Sequence, residues 1–208
     1  EIRPRDWSSD VCSSDLLRRS TAKLMFALGK DVGGSEEAAD LAKMPHLLIA
    51  GATGSGKSVM VNALIASLLF HNTPDELHLI LVDPKHVELS GYNGLPHLLV
   101  PVITEAQKAS TVLMWAVGEM ERRYHLFAAA GARNLEAYNE MIAKVQALDP
   151  GDPERVGHSL AGAERLEFIV IIIDELADLM MQDGRNTEEP IVRIAQKARA
   201  TGIHMVLA

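Results

Sequence analysis

Eight consecutive residues, Gly51-Ala52-Thr53-Gly54-Ser55-Gly56-Lys57-Ser58, satisfy the pattern G-x-x-x-x-G-K-[ST] at every defined position. A nucleoside triphosphate packs dense negative charge into a small volume, and this spacing answers it. Glycines let the backbone wrap the phosphates, so successive N–H groups point inward with the positive end of a helix dipole behind them. Lys57 is placed to reach the β- and γ-phosphates, and the Ser58 hydroxyl to ligate Mg²⁺. The implied chemistry is binding of ATP or GTP. A glycine-rich turn with no ligand is the structural alternative. The filled positions and the correct flanks favour the nucleotide.

Hydrolysis needs a second half, and the sequence offers one. Six apolar residues, Phe168 to Ile173, run directly into Asp174-Glu175. An aspartate at the carboxyl end of a buried strand lies beside such a loop and can hold the Mg²⁺ shell, usually through water. The adjacent glutamate can polarise the attacking water. Phosphoryl transfer asks mainly for positioning and charge neutralisation, which these groups supply. The alternative for the pair is the start of a helix, favoured by its dipole. Asp83 and Lys85 close another apolar run, Leu77 to Val82, and either line the same site or form a solvated turn. The eight histidines show no metal-ligand spacing.

These groups must be carried by strands and helices in alternation. Strands are expected at 47–50, 77–82, 168–173 and 203–207, with an edge strand at 24–29 and a short one at 96–102. The run 168–173 is so apolar that both of its faces must be covered, as in a parallel sheet. Helices are expected at 58–70, at 105–130 with Thr104 as its cap, at 134–145 and at 191–200. In the second of these, Ala106, Ala109, Leu113, Ala116, Val117, Met120, Tyr124 and Phe127 recur at three- and four-residue spacing, an amphipathic core face. The stretch 35–42 reads as a turn or brief helix, and 149–162 as a Pro/Gly-rich surface loop. The fold class is therefore α/β, a mainly parallel P-loop NTPase sheet with helices on both faces.

The chain has 208 residues, 48% of them hydrophobic, which suits one domain with a sizeable core. No apolar run approaches the roughly 20 residues that span a bilayer. With a net charge of −8, any nucleic-acid contact must come from local basic patches. Residues 1–16 resemble the conceptual translation of a sequencing-adaptor oligonucleotide and are set aside as an artefactual tail, which includes Cys12, the one cysteine. The lack of other thiols fits a reducing, cytoplasmic setting.

The string His46 to Ser58 resembles the motor domain of the FtsK/SpoIIIE DNA translocases. So do Val82-Asp83-Pro84-Lys85 with Glu88-Leu89, Pro96-His97-Leu98-Leu99, Met120-Glu121-Arg122-Arg123-Tyr124 and Arg133-Asn134-Leu135. Asp174 to Met181 and Ala195 to His204 complete the match. The resemblance covers residues 20–208 in collinear blocks. It implies a RecA-like ATPase that uses ATP and Mg²⁺, forms a homo-hexameric ring and pumps double-stranded DNA in chromosome segregation at cell division. It also implies a cytoplasmic motor whose parent is anchored in the bacterial inner membrane by an N-terminal region absent from this sequence.

By the same resemblance, residues 17–208 are a partial motor domain, truncated at the C-terminus and inactive alone. The sheet edge beside 203–207 is expected to be uncovered. Arg193 and Arg199 fall on a helix that could present either as an arginine acting on a neighbouring subunit, with a solvated helix face as the alternative. Two other readings remain open: a related ring ATPase of a secretion or conjugation system, moving protein or transferred DNA, and a nucleotide-binding module that does not translocate. Glu175 favours hydrolysis over mere binding.

Overall fold

The computed structural model describes residues 20–52 and 54–208; residues 1–19, with the tail expected at 1–16, and Thr53 lie outside the described residues. Four parallel strands form the central sheet: β3 (Leu47–Leu48), β4 (Leu77–Val82), β5 (Phe168–Ile173) and β6 (Ile203–Leu207), in the spatial order β3-β6-β5-β4. Strands β4 and β5 run in register from Leu77↔Phe168 to Val82↔Ile173, and β5 pairs with β6 from Ile169↔Ile203 to Ile173↔Leu207. All six residues of β5 are apolar and the last five are buried. That pattern has one physical solution, a strand with neighbours on both edges and layers on both faces.

The two faces are filled by alternate residues of the same strands. On one side Ile80, Val82, Ile169, Ile171, Ile173, Ile203 and Met205 meet α2 (Ala106–Ala130) and α5 (Leu176–Lys197). On the other, Leu77, Leu79, Leu81, Val170, Ile172 and Val206 meet α1 (Lys57–His71) through Val61, Leu64, Ile65 and Leu68. The expected face of α2 is buried as read, except that Tyr124 is exposed and donates its hydroxyl to the Lys197 carbonyl. Beyond α2, helix α3 (Leu135–Gln146) starts where the Asn134 side chain accepts the Ala137 N–H at 3.0 Å, and it stacks Tyr138 on Phe127. Between α3 and β5 lies one more short helix, α4 (Pro153–Val156), opened by Asp152 accepting the Glu154 N–H.

Several expectations are corrected. The stretch 35–42 contains a strand, β2 (Glu36–Asp40), antiparallel to β1 (Met25–Lys30). Its Glu, Ala and Asp residues have little strand propensity. The turn forces the pairing: the Asp31 carboxylate accepts from Gly33 N and Ser35 N, both at 2.8 Å. The segment 96–102 is no strand. Pro96 and Pro101 lack the N–H a ladder needs, so only isolated bridges, Leu79↔Leu98 and Val82↔Ile103, cover the edge of β4. Glu105, not Thr104, occupies the cap position of α2, without a side-chain bond. The expected helix 191–200 is the far half of α5. This helix starts at Leu176 and bends at Asp183, which has non-helical φ −145° and ψ 46°. Gly184, Asn186 and Pro190 hide it from a propensity reading. The bend is capped, because Asp183 accepts from Ser110 Oγ at 2.8 Å and from Asn186 Nδ2 at 2.7 Å.

The uncovered edge is also elsewhere than expected. Strand β6 lies between β3 and β5, so 203–207 is interior, and among the described residues the open edge belongs to β3, whose Leu48 is 68% exposed.

Candidate nucleotide site

The phosphate loop leaves β3 and becomes α1 in a conformation its glycines make affordable. Gly54 and Gly56 have φ of 80° and 93°, the left-handed region that costs other residues strain. At Gly51 the constraint is space: a Cβ there would stand 2.1 Å from Ser55 Oγ. The first turn of α1 carries no acidic side chain, so nothing on the helix itself offsets its positive end.

Lys57 and Ser58 occupy that first turn and line a cleft of about 690 Å³. The described loop residues Gly51, Ala52, Gly54 and Gly56 line it too, as do Lys85, Asp174 and Glu175. These loop residues and the Asp174-Glu175 pair, 117 residues apart from Lys57 to Asp174, therefore share one space at the carboxyl ends of the strands. Ser55 lies in the same loop, its N–H donating to the Ala52 carbonyl at 2.9 Å.

Contacts across the cleft are specific. Lys57 Nζ donates to the Asp174 carbonyl at 2.8 Å and to Glu175 Oε2 at 3.0 Å. The same Oε2 accepts from Lys85 Nζ at 2.9 Å, and Lys85 also lies 3.5 Å from Asp178 on α5. Hydrogen bonds from Lys85, then from Lys57, hold the Glu175 carboxyl below the usual range and so keep it ionised. Asp174 moves the other way. Burial raises its carboxyl, with the Lys57 charge opposing.

Asp174 is 3% exposed, and its Oδ1 has no hydrogen-bond partner among the described residues. A buried oxygen left unpaired costs free energy unless a ligand answers it. One inner carboxylate, a serine hydroxyl and phosphate oxygens are what Mg²⁺ takes in sites of this kind. The residues present thus fit a magnesium–nucleotide complex.

The open question about the end of β4 divides between its two residues. Asp83 is structural: fully buried, it accepts from the backbone N–H groups of Lys85, Glu88 and Leu89 at 3.0–3.2 Å. Lys85 is in the site. Sequence reasoning missed its pairing with Glu175 and Asp178; the signal available was a lysine directly beyond a buried strand end. The two arginines also part company. Arg193 pairs with Glu121 and Glu189 on the flank of the molecule. Arg199 is exposed on the 3-10 turn Ala198–Thr201 and lines a separate cavity of about 680 Å³ with Lys43, Arg133 and Lys197.

A model of the FtsK/SpoIIIE family matches residues 9–208. The chain is 52% identical over 206 residues to DNA translocase FtsK of Pasteurella multocida, covering 96% of this chain and 22% of that protein. Against DNA translocase FtsK of Haemophilus influenzae it is 51% identical over 206 residues, covering 96% of this chain and 39% of that one. The chain thus spans well under half the length of these curated relatives. Among solved structures it resembles the pCW3 conjugation coupling protein TcpA, monomer form with ATPgS, at TM-score 0.70 and 27% identity, covering 93% of this chain and 50% of that one. It also resembles the cytoplasmic domain of the Type VII secretion ATPase EccC from Thermomonospora curvata, at TM-score 0.71 and 26% identity, covering 96% and 23%.

Proposed function

The chain belongs to the FtsK/SpoIIIE family, and on that premise we propose that it is the ATP-binding part of a motor that moves double-stranded DNA. The observation carrying the reading is the meeting of Lys57 with Asp174 and Glu175 at one end of the sheet. A binding module has no use for the second carboxylate; a hydrolase does.

When bound, Mg²⁺-ATP supplies a γ-phosphoryl group ready for transfer to water. The chain's own residues do the rest. Gly51 to Gly56 surround the phosphates with backbone N–H groups, and Lys57 neutralises the developing charge. Ser58 and the Asp174 carboxylate would hold the metal, the latter through water; Glu175 would orient the attacking water and accept its proton at the carboxylate. Because Lys57 now bonds Glu175, it must exchange that partner for phosphate as ligand enters.

The proposed assembly is a homo-hexamer that serves chromosome segregation and cell division. The motor would lie in the cytoplasm and the parent would be anchored in the inner membrane. No described helix is long and apolar enough to cross a membrane. Arg199, exposed and without an ion pair among the described residues, is better placed than Arg193 to serve a neighbouring copy's site. Such an arginine contributes several orders of magnitude in rate, so the chain alone is proposed to turn ATP over poorly.

A second reading, a secretion or conjugation ATPase moving protein or transferred DNA, draws on the likeness to TcpA and EccC. The identity near one half to proteins named DNA translocase favours the first. ATP hydrolysis by the full-length protein, measured with and without double-stranded DNA, tests it. Stimulation by DNA is expected, and stimulation only by a protein substrate would favour the second reading.

A further inference from the structure

Glu175 Oε2 is shared by two ammonium groups, Lys57 of the first turn of α1 at 3.0 Å and Lys85 of the turn after β4 at 2.9 Å. The two cations have different obligations. Lys57 belongs to the phosphate loop, and a lysine there that engages phosphate cannot keep its bond to the glutamate. Lys85 stands beyond the end of β4, on a turn made rigid by the buried Asp83 carboxylate, which holds the backbone N–H groups of Lys85, Glu88 and Leu89. It is steadied from the far side by Asp178, one turn into α5 at 3.5 Å.

We propose that Lys85 is a positioning residue for the hydrolytic carboxylate, the arm that holds Glu175 in place after Lys57 has moved to the nucleotide. The inference rests on the reading of Glu175 as the group that orients water. As an ion pair Lys85 adds little to folding, because its side chain is 51% exposed and solvent screens it. Its value is geometric. Glu175 sits at the hinge between β5 and α5 with an extended backbone (φ −141°, ψ 90°) and no cap bond of its own. Without a second tether its side chain is free to turn into the cleft once Lys57 leaves. A general base misplaced by an ångström loses much of its effect.

The test uses the full-length protein that carries this segment, with ATP for turnover and a non-hydrolysable ATP analogue for equilibrium binding. Lys85→Ala is expected to lower kcat by about tenfold or more, within the range a positioned base supplies, while analogue affinity stays within about threefold because Lys85 is not asked to touch phosphate. Lys85→Arg keeps a cation in reach and is expected to recover most of the loss. The decisive arm is the double variant: in a Glu175→Gln background, Lys85→Ala should cost nothing further, since the two act as one unit. Analogue binding weakened about tenfold, turnover unchanged in Lys85→Ala, no recovery by arginine, or a loss that persists in the Glu175→Gln background would each overturn the assignment. Glu175→Gln with wild-type turnover would instead remove the reading of the site itself, a result separable from failure of Lys85 alone.

Discussion

Two networks of basic and acidic side chains stand at different places on the sheet, and they are built to opposite ends. Near the start of β5, Arg123 of α2 is wholly buried and every contact is internal. Its Nε donates to Glu119 at 2.7 Å, and its two terminal nitrogens reach the Glu167 carbonyl, the Thr201 carbonyl and Glu167 Oε1 at 2.7–3.0 Å. At the other end of β5, Lys57 and Lys85 compete for one carboxylate while Asp174 keeps a buried oxygen unpaired. The first network is closed and ties α2 to the sheet. The second is left incomplete, with partners that a triphosphate and its metal would complete. Charge answered from within serves the fold, whereas a buried carboxylate oxygen left unpaired beside a phosphate loop is open to a ligand.

The sharpest way to break this contrast is at the open network. In the full-length protein Lys57→Ala should remove the phosphate contact and lower ATP turnover by about 10³-fold or more, yet leave the denaturation midpoint of the fold nearly unchanged. Glu175→Gln should lower turnover by about 10²- to 10⁴-fold while analogue binding survives. Equal loss of nucleotide binding in both variants would contradict their separate roles.

The closed network should answer in the other currency. Arg123→Met removes one partner and leaves Glu119 and the Glu167 carbonyl facing an apolar side chain, so stability should fall by about 3–5 kcal/mol. Urea unfolding measures that loss. Analogue affinity of the fraction still folded should not change, and a variant as stable as wild type would erase the distinction drawn here.

A smaller effect sharpens the comparison through pH. His204 of β6 donates from Nδ1 to the Pro45 carbonyl, while His46 Nδ1 accepts the Met205 N–H; the Nε2 atoms of both rings are buried without a hydrogen-bond partner among the described residues. Burial pushes the His204 ring down to about 4 from an ordinary 6.5, and burial lowers His46 as well. Between those values the unfolded chain binds a proton that the folded chain refuses. Stability is therefore complete above about pH 6.5 and is lost as pH falls toward about 4, by at most about 1.4 kcal/mol per unit for one ring. Unfolding curves of wild type and His204→Asn from pH 7 to 4.5 should converge on acidification; parallel curves would contradict it. The smallest effect belongs to exposed pairs such as Lys108–Glu105, whose side chains are 67% and 62% exposed. Lys108→Ala should change stability by less than about 0.5 kcal/mol.

Much of the open network was legible in the sequence. Lys57, Asp174 and Glu175 announce themselves because each follows or ends a run whose pattern admits one placement, and the structure brings all three to one cleft. The strands at 77–82 and 168–173 read correctly for the same reason. What hid from the sequence depends on partners distant along the chain. The strand Glu36–Asp40 has no strand-like composition and exists because β1 lies beside it. The first half of α5 is masked by Asp183, Gly184 and Pro190, and survives because Ser110 of another helix caps the bend. Lys85 stayed open between the site and a solvated turn, since its two acidic partners lie 90 or more positions away.

The order of the strands carries a consequence for how the molecule comes into being. Among the described residues, the strand that seats the phosphate loop joins the sheet only through β6, by Leu47↔Val206 and Leu48↔Leu207, with the Pro45–His204 and His46–Met205 bonds beside them spanning 159 residues. On a ribosome the loop is made well before its berth, which follows 159 residues after β3. Once β5 is made it can pair with β4, while β3 still waits for β6. Closing so distant a contact is slow, and the waiting strand exposes backbone to other chains meanwhile. Nucleotide affinity thus waits on residues made 159 positions after the strand that seats the loop.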